Sequence, residues 1–311
     1  MKVLLIRTEG ASPLEIKDKH LERIRALDKS IKVTTLSSLD KQEIAKQIKD
    51  ADIIAGVQPV IPSIKNAKKL KLIHVFSAGV EKVLTPEVIK SKVIVSNSSG
   101  IHAVPIAEHV IGFMLIFARK FYDTFRKQQR KIWNKNQDLT ELRDKTVLVV
   151  GLGHIGAEVA RLASFLGANV ITIKQNTKNQ LEKVLPKADF VVLCLPLTHD
   201  TYHMFDMKKF KLMKKSSIII NIGRGGVINE KEMIEALDKK IIGGAGLDVT
   251  EEEPLSQKSK LWEMENVVVT PHHSGWSEKY MDRAINLFCV NLKAYLKRKK
   301  LPNLVDKKGG Y

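Results

Sequence analysis

The chain has 311 residues, of which 44% are hydrophobic and 28% are charged, with a formal net charge of +18. At roughly 100 to 200 residues per domain, this length predicts about two globular domains. The composition excludes a disordered tail protein and a fibrous repeat.

Cysteine usage and hydropathy predict where the protein works. The two cysteines, Cys194 in an apolar run and Cys289 in a helical pattern, have neither disulfide nor metal-ligand spacing, so we expect reduced core thiols and no metal. No apolar stretch reaches the roughly 18 residues of a membrane span. These features predict a cytoplasmic protein without membrane contact.

The one true basic run lies at residues 293–300 (KAYLKRKK). Such a run can form a patch for nucleic acid or for a membrane surface. A solvated helix end is the simpler explanation, because cations also suit the negative end of the helix dipole. We therefore expect no nucleic-acid partner.

Strand-length apolar runs alternate with helical segments along the chain. The runs do not alternate between apolar and polar residues, which is typical of a parallel sheet covered by helices on both faces. The fold class is therefore α/β, with two doubly wound parallel sheets. The runs lie at residues 3–6, 53–57, 71–76 and 93–97, and then at 146–151, 169–173, 190–195, 217–222 and 266–271.

Helices are predicted at residues 40–50, from Pro105 to about Arg119, and at roughly 279–299. The second of these is apolar almost all round. We expect it to be buried, either between the domains or at a subunit interface.

A glycine motif follows the run at 146–151. Gly151, Gly153 and Gly156 lie in the sequence GLGHIG, between a predicted strand and a predicted helix, and the next strand arrives at βαβ spacing. Gly151 permits a tight turn, Gly153 lets backbone approach a pyrophosphate, and Gly156 allows close packing of helix on strand. The helix N-terminus would bind the pyrophosphate of a dinucleotide.

The end of the second strand predicts which dinucleotide binds. An acidic residue that would hold the ribose 2′-hydroxyl is expected there, but the sequence reads Lys174 followed by Gln, Asn and Thr. A cation and amides suit a 2′-phosphate, which an aspartate would repel. The sequence therefore favours NADP over NAD, with Lys174 as the phosphate contact.

Three further segments at the ends of predicted strands contain side chains that can bind or protonate a substrate. They are Arg224 in NIGRGG, Glu253 in GLDVTEEEPL, and His272 in TPHHSG. Ligands of open α/β sheets bind at such ends. Arginine binds a carboxylate bidentately, and histidine exchanges a proton near neutral pH when a carboxylate orients it. The adjacent His273 would point the other way from an extended backbone, so it is left out.

These segments, together with GLGHIG, resemble the D-isomer-specific 2-hydroxyacid dehydrogenase family, which reduces 2-oxoacids with a nicotinamide cofactor. The resemblance extends to FSAGVEKV (76–83), to NSSGIHAVPIAEHVIGFML (97–115) and to LPLTHDTYHMFD (195–206). It implies a flavodoxin-like substrate domain at 1–98 and 280–311, into which a Rossmann domain at 99–279 is inserted. It also implies a homodimer, formed through helix 105–119 and the segment after it.

The resemblance implies roles for individual residues. Arg224 would bind substrate, Glu253 would be the carboxylate before proline, and His272 would be the acid/base. Ala78 and Gly79 would offer backbone N–H groups to the substrate carboxylate, beside Arg224 and His272. Cofactor contacts would come from Gly151, Gly153, His154, Ile155, Gly156, Lys174, Leu195, Pro196, Thr201, Ile222, Gly223, Arg224, Asp248, His272 and Gly275, with Asp248 on the nicotinamide carboxamide.

The expected reaction is reversible hydride transfer that reduces a 2-oxoacid to the D-2-hydroxyacid. The substrate stays open among glyoxylate, hydroxypyruvate, branched 2-oxoacids and phenylpyruvate; its side chain would meet residues 7–13, 56–62 and 77–80, with Trp276 or Trp133 as further candidates. A nucleotide-sensing interaction protein is the alternative, because transcriptional corepressors that resemble this family keep its fold and site residues.

Overall fold

The structure is a computed structural model, and it describes residues 1–8, 12–57, 63–135, 138–174, 178–307 and 309. The chain forms two compact units. One consists of residues 1–102 and 276–311, and the other of residues 103–275.

The first unit is built on a five-stranded parallel sheet with the order β2-β1-β3-β4-β5. This is the strand order of flavodoxin-like folds. Its strands are β1 (Lys2–Arg7), β2 (Lys32–Ser37), β3 (Ile53–Gly56), β4 (Leu72–Val75) and β5 (Ile94–Asn97). Its helices are α1 (Asp18–Arg25), α2 (Lys41–Gln47), α3 (Pro86–Lys90) and the last helix of the chain, α10 (Tyr280–Leu296).

Both faces of this sheet are covered. Successive side chains of a strand point to opposite faces, and in β1 Val3 and Leu5 pack with Phe288 of α10. Leu4 of the same strand packs with Ile44 of α2 on the other face. Burial on both faces explains why β1 reads as a continuous apolar run.

Two of the buried histidines in this unit, His74 and His102, have lowered pKa values. His74 of β4 is fully buried, and its ring nitrogens lie 2.8 Å from Ser96 Oγ and 3.2 Å from Ser98 Oγ. Burial lowers the pKa of His74 to about 3. Burial, with repulsion from Arg283, lowers the pKa of His102 to about 4. Both rings are therefore neutral in the folded protein at neutral pH.

The second unit contains a six-stranded parallel sheet with the order β11-β10-β9-β8-β6-β7. Its strands are β6 (Thr146–Val150), β7 (Asn169–Ile173), β8 (Phe190–Leu193), β9 (Ile218–Asn221), β10 (Gly244–Leu247) and β11 (Val267–Val269). Its helices are α4 (Ala103–Ala118), α5 (Phe121–Gln129), α6 (His154–Phe165), α7 (Lys178–Val184), α8 (Met207–Leu212) and α9 (Glu230–Asp238).

The strand order of this sheet reverses at β6. The chain passes from β6 through α6 to β7 on one side, and then through α7 to β8 on the other side of β6. Ligands of open α/β sheets bind at such a switch point, outside the carboxyl ends of the strands. The residues that follow β6 and β8 are therefore the place to look for a nucleotide site.

Helix α4 covers one face of the second sheet within its own unit. Phe113 and Phe117 of α4 are buried there. A Cβ added to Gly246 of β10 would lie 2.9 Å from the Phe113 ring, and one on Gly244 would lie 3.1 Å from Phe117. The buried face of the apolar helix thus packs on a glycine-rich strand, which was not predicted.

In the described part of the chain, nine of the eleven strands coincide with the predicted apolar runs. The two that sequence reasoning missed are β2, an edge strand with mostly half-buried side chains, and the glycine-rich β10. Among the described residues, no helix is long and apolar enough to cross a membrane.

Candidate active site

The glycine motif forms a tight turn between β6 and α6. Gly151 has a φ of +99°, and a Cβ added there would lie 2.5 Å from the carbonyl oxygen of Cys194. A Cβ on Gly156 would lie 2.0 Å from the Gly151 carbonyl oxygen. A Cβ on Gly153 would meet no heavy atom of the described residues within 4 Å. The turn is closed on its inner side and open at Gly153, which suits the close approach of a pyrophosphate.

Helix α6 begins directly at this turn. Gly153 is its N-cap and makes no side-chain cap, so the first N–H groups of the helix, from His154 onward, have no partner within the helix. They provide donors for an anion, and the positive end of the helix dipole favours it. Ile155 is half-buried beside them and Gly156 is buried.

Lys174 follows β7 at the same edge of the sheet. The carbonyl of Ile173, the preceding residue, accepts the Gly151 N–H at 2.8 Å, and the Lys174 side chain is exposed. The cation therefore lies at the end of the strand next to the glycine turn. The Gln, Asn and Thr at 175–177, which support the same cofactor prediction, lie outside the described residues.

The predicted cofactor-side loop follows β8. The Thr201 hydroxyl donates to the Pro196 carbonyl at 2.7 Å, and Thr201 is 1% exposed. The structure thus gives this hydroxyl a partner inside the loop. Leu195 is buried, and a Cβ on Gly223 would lie 2.5 Å from its carbonyl oxygen, so this loop contacts the segment after β9. Ile222 is buried in that segment.

Arg224 is half-buried in the segment after β9, and Asn221 shapes the backbone around it. The Asn221 side-chain oxygen accepts the Gly223 N–H at 3.1 Å, and its amide donates to the Arg224 carbonyl at 3.0 Å. The Arg224 guanidinium donates to the Gly223 carbonyl at 2.9 Å. A polar side chain at the end of a buried strand therefore fixes the turn that carries the arginine.

Gly225 brings two loops into direct contact. A Cβ added to Gly225 would lie 1.9 Å from the Thr250 carbonyl oxygen and 2.5 Å from the Glu251 N. The backbone after Arg224 therefore lies against the backbone that leads to Glu253, with no room for a side chain between them.

His272 and Glu253 form a hydrogen-bonded pair. His272 Nδ1 lies 2.7 Å from Glu253 Oε2, and the two side chains are 50% and 38% exposed. The other Glu253 oxygen accepts the Thr250 N–H at 3.3 Å. Because Nδ1 is engaged by the carboxylate, Nε2 is the ring atom left to exchange a proton with a substrate.

The backbone at His272 is not extended, so the prediction by which His272 was chosen over His273 was wrong in its geometry. His272 has a φ of +50°, which is left-handed rather than extended. The two rings nevertheless have different neighbours, since the His273 ring lies 5.7 Å from that of His109. A left-handed φ is unfavourable for a side chain with a Cβ and needs support from its surroundings.

Asp248 provides that support from the end of β10. Its carboxylate is 1% exposed and accepts hydrogen bonds from the Thr270 hydroxyl, the N–H groups of His273 and Ser274, and the Ser274 hydroxyl. Its backbone carbonyl accepts the His272 N–H at 2.9 Å. The contact with a nicotinamide carboxamide stays a prediction, and the structure shows these oxygens engaged within the protein. Gly275, half-buried, ends the segment.

Ala78 and Gly79 lie in the first unit, after β4. Both are half-buried. The Ala78 carbonyl accepts from the Asn97 side chain at 2.8 Å, and the Gly79 carbonyl accepts from Ser77 Oγ at 2.9 Å. These bonds fix the orientation of the loop from its carbonyl side. Its contact with a substrate carboxylate stays a prediction.

Comparison with known proteins identifies the family. Residues 111–274 match the family model described as "D-isomer specific 2-hydroxyacid dehydrogenase, NAD binding domain". A glyoxylate reductase from Korarchaeum cryptofilum is 30% identical over 86% of this chain and 86% of its own length. The chain belongs to the D-isomer-specific 2-hydroxyacid dehydrogenase family. It is thus an oxidoreductase with an NAD(P)-binding Rossmann unit.

Two further family members show how far the similarity extends. A D-3-phosphoglycerate dehydrogenase from Methanocaldococcus jannaschii is 31% identical over 92% of this chain, which spans only 58% of that relative's length. The crystal structure of an NADPH-dependent glyoxylate/hydroxypyruvate reductase from Sinorhizobium meliloti, in complex with NADP and sulfate, has a TM-score of 0.82 at 25% identity and covers 100% of both chains. The architecture is therefore that of the family over the whole chain.

Sequence reasoning missed several residues that the structure places beside the predicted site residues. Thr270, Ser274 and His109 surround Asp248, and Asn221 fixes the Arg224 turn. Polar residues at the ends of buried strands were the available signal for two of them, Asn221 and Thr270. His109 stands out as a lone histidine in an apolar helix.

Proposed function

We propose that this protein reduces a small 2-oxoacid to the D-2-hydroxyacid, with NADPH preferred over NADH. The observation that carries the proposal is the 2.7 Å hydrogen bond between His272 Nδ1 and Glu253 Oε2. It lies in the same unit as Arg224 and the glycine turn. An oriented acid/base, a carboxylate-binding cation and a dinucleotide turn are the parts that such a reduction needs.

The residues after β6 fit a dinucleotide. The turn is open at Gly153, and the first N–H groups of α6 would hold the pyrophosphate. The loop at 195–201 and the segment after β9 would form the remaining walls. The bound nicotinamide supplies the hydride.

His272 supplies the proton in the direction of reduction. Its Nδ1–H donates to the Glu253 carboxylate, which orients the ring. Its Nε2–H then donates to the substrate oxygen as negative charge develops there. In the reverse direction, the neutral ring accepts the hydroxyl proton at Nε2.

Arg224 holds the substrate. Its planar guanidinium is suited to bidentate binding of the 2-oxoacid carboxylate and to polarising the adjacent carbonyl. The N–H groups of Ala78 and Gly79 would bind the same carboxylate. The side chain of the substrate would contact segments of the first unit, of which residues 9–11 and 58–62 lie outside the described part of the chain.

The test follows the absorbance of the reduced nicotinamide with NADPH and NADH in parallel. The substrates are glyoxylate, hydroxypyruvate, 2-oxoisocaproate and phenylpyruvate. Turnover with at least one of them is expected, and it ranks the substrates. Cofactor binding without turnover of any 2-oxoacid would contradict the proposal and favour the nucleotide-sensing alternative, for which a search for protein partners is the next step.

Lys174 is proposed to select NADPH by pairing with the 2′-phosphate. Lys174→Asp is expected to shift the ratio of kcat/KM values toward NADH, because a carboxylate repels the phosphate and accepts the ribose hydroxyl. Lys187→Asp is the matched control, since it makes the same charge change at another exposed position of this unit. An unaltered ratio in Lys174→Asp would remove Lys174 from the cofactor contacts.

A homodimer formed through α4, α5 and the segment after them is also proposed. Phe121 and Phe125 of α5 are 42% and 58% exposed, and Trp133 is 90% exposed. Apolar side chains exposed together mark an interaction surface. Light scattering is expected to give the mass of two chains for the wild type and of one chain for Phe125→Glu. A monomeric wild type would contradict this.

We also propose a cytoplasmic location, because both cysteines are free thiols.

A further inference from the structure

The segment from Thr270 to Ser274 folds around one buried carboxylate. Four donors from this segment form hydrogen bonds with the Asp248 oxygens. One of them is the hydroxyl of Thr270, the residue directly after β11, which lies 2.7 Å from Asp248 Oδ1. His272 lies in the middle of the segment in the left-handed conformation. Because that conformation is unfavourable for histidine, the direction of the His272 ring depends on the hydrogen bonds on either side of it.

A fifth group, His109 of α4, approaches this network from outside. His109 Nε2 lies 3.1 Å from Thr270 Oγ1 and 4.0 Å from Asp248 Oδ1. The ring packs edge-on against Phe113, with centroids 4.7 Å apart and planes at 89°, and also contacts the His273 ring. The ring is therefore held in place by its own helix and by the segment it contacts.

The direction of the hydrogen bonds follows from counting protons. An ionised carboxylate only accepts, so the single proton of the Thr270 hydroxyl goes to Asp248. The Thr270 oxygen must then accept from His109, which places a proton on His109 Nε2. Burial lowers the pKa of His109, against an opposing effect of Asp248 and with a further lowering by His273. A neutral ring with its proton on Nε2 satisfies all these contacts.

We propose that His109 is a positioning residue for the reaction: by donating to Thr270, it holds the Thr270 hydroxyl on Asp248 and so fixes the turn that presents His272. This inference rests on the proposed function of His272. His109 touches neither substrate nor cofactor in this role. It acts through Thr270 and Asp248, from a helix whose main task is to cover the sheet.

The same residues could suggest a metal site, because ligand atoms of His109, Asp248 and His273 lie within 4.8 Å of one another. The hydrogen bonds argue against it. The nitrogen that His109 would offer donates to Thr270, and both Asp248 oxygens already accept hydrogen bonds. A metal ion would have to displace the donors that fold the His272 segment.

The test compares two pairs of variants. His109→Leu removes the donor and His109→Gln can keep an N–H donor; Thr270→Val removes the hydroxyl and Thr270→Ser keeps it. We expect kcat to fall about tenfold to a hundredfold in His109→Leu and Thr270→Val, the scale of a misplaced catalytic group, with cofactor Kd unchanged within about threefold. His109→Gln and Thr270→Ser should recover most of kcat.

A double variant gives a readout that general destabilisation would not. If His109 acts through Thr270, His109→Leu/Thr270→Val should lose no more kcat than either single variant. The inference would be overturned if the double variant lost kcat by the product of the two single losses. It would also be overturned if both single variants kept a kcat within twofold of wild type, or if His109→Gln were as slow as His109→Leu. If His109→Leu does not fold, Thr270→Val and Thr270→Ser are compared instead. A kcat of Thr270→Val within twofold of wild type then overturns the inference.

Amide hydrogen exchange at His273 and Ser274 separates this inference from the proposed function. Both N–H groups donate to Asp248, and we expect them to exchange faster in His109→Leu and at the wild-type rate in His109→Gln. This measurement needs no substrate. Absence of turnover in the wild type would contradict the proposed function alone, whereas unchanged exchange in His109→Leu would overturn the positioning role.

Discussion

Replacing His74 with glutamine is expected to flatten the pH dependence of unfolding between pH 7 and pH 5. The pKa of the folded residue is about 3, because the ring is fully buried between Ser96, Ser98 and Phe288, whereas an unfolded histidine has a pKa of about 6.5. Below about pH 6.5 the unfolded chain therefore binds a proton here that the folded chain does not. The contribution of His74 to the free energy of unfolding is fully present above about pH 7. It falls by about 1.4 kcal/mol per pH unit as the pH drops, until about pH 3.

Integrated from pH 7 to pH 5, His74 removes about 2 kcal/mol from the free energy of unfolding. Urea unfolding followed by circular dichroism at pH 7, 6 and 5 measures this loss. His74→Gln starts less stable at pH 7, since packing and hydrogen bonds are disturbed, so only the change with pH counts. It should lose about 2 kcal/mol less than wild type. His199→Gln, at a fully exposed position, should follow wild type. Parallel curves for His74→Gln and wild type would refute the reasoning.

Two further predictions concern the site. Arg224→Ala should lose most of kcat/KM and His272→Ala should lose kcat by about 10²-fold or more, the scale of a missing general acid, in steady-state assays; unchanged turnover in either variant would contradict the assigned role. Gly156→Ala should abolish cofactor binding in a fluorescence titration, because its Cβ would lie 2.0 Å from the Gly151 carbonyl oxygen, whereas Gly112→Ala, with nothing within 4 Å among the described residues, should bind normally. Equal affinity of the two variants would show that the turn does not hold the cofactor.

The sequence predicted the strands whose burial is uniform. Strands such as β6 and β9 are covered on both faces, so each reads as an unbroken apolar run. β2 escaped because it lies at the edge of its sheet and its sequence, KVTTLS, mixes polar and apolar residues. β10 escaped because glycine replaces larger residues where Phe113 and Phe117 of α4 pack against it. A helix that approaches a strand this closely selects for small residues, which remove the apolar signal.

The candidate site divides in the same way. The glycine turn, Arg224 and His272 could be predicted because each follows a recognisable apolar strand, and Glu253 because its segment resembles the family pattern. The network around Asp248 could not, since it depends on the left-handed turn at His272 and on contact with His109, more than a hundred residues earlier in the chain. Local pattern specifies which side chains are at hand, and only tertiary structure specifies which of them hold the others.

The contact at Gly225 has a consequence for redesigning this protein. Because the loops that carry Arg224 and Glu253 meet backbone to backbone, with 1.9 Å between a Cβ on Gly225 and the Thr250 carbonyl oxygen, their spacing is set by peptide geometry. Libraries that vary neighbouring side chains to admit new substrates should leave that spacing intact. Any library that includes position 225 itself would lose it. The two loops can therefore be kept unchanged as one rigid unit, and sequence diversity can be confined to the segments that surround it.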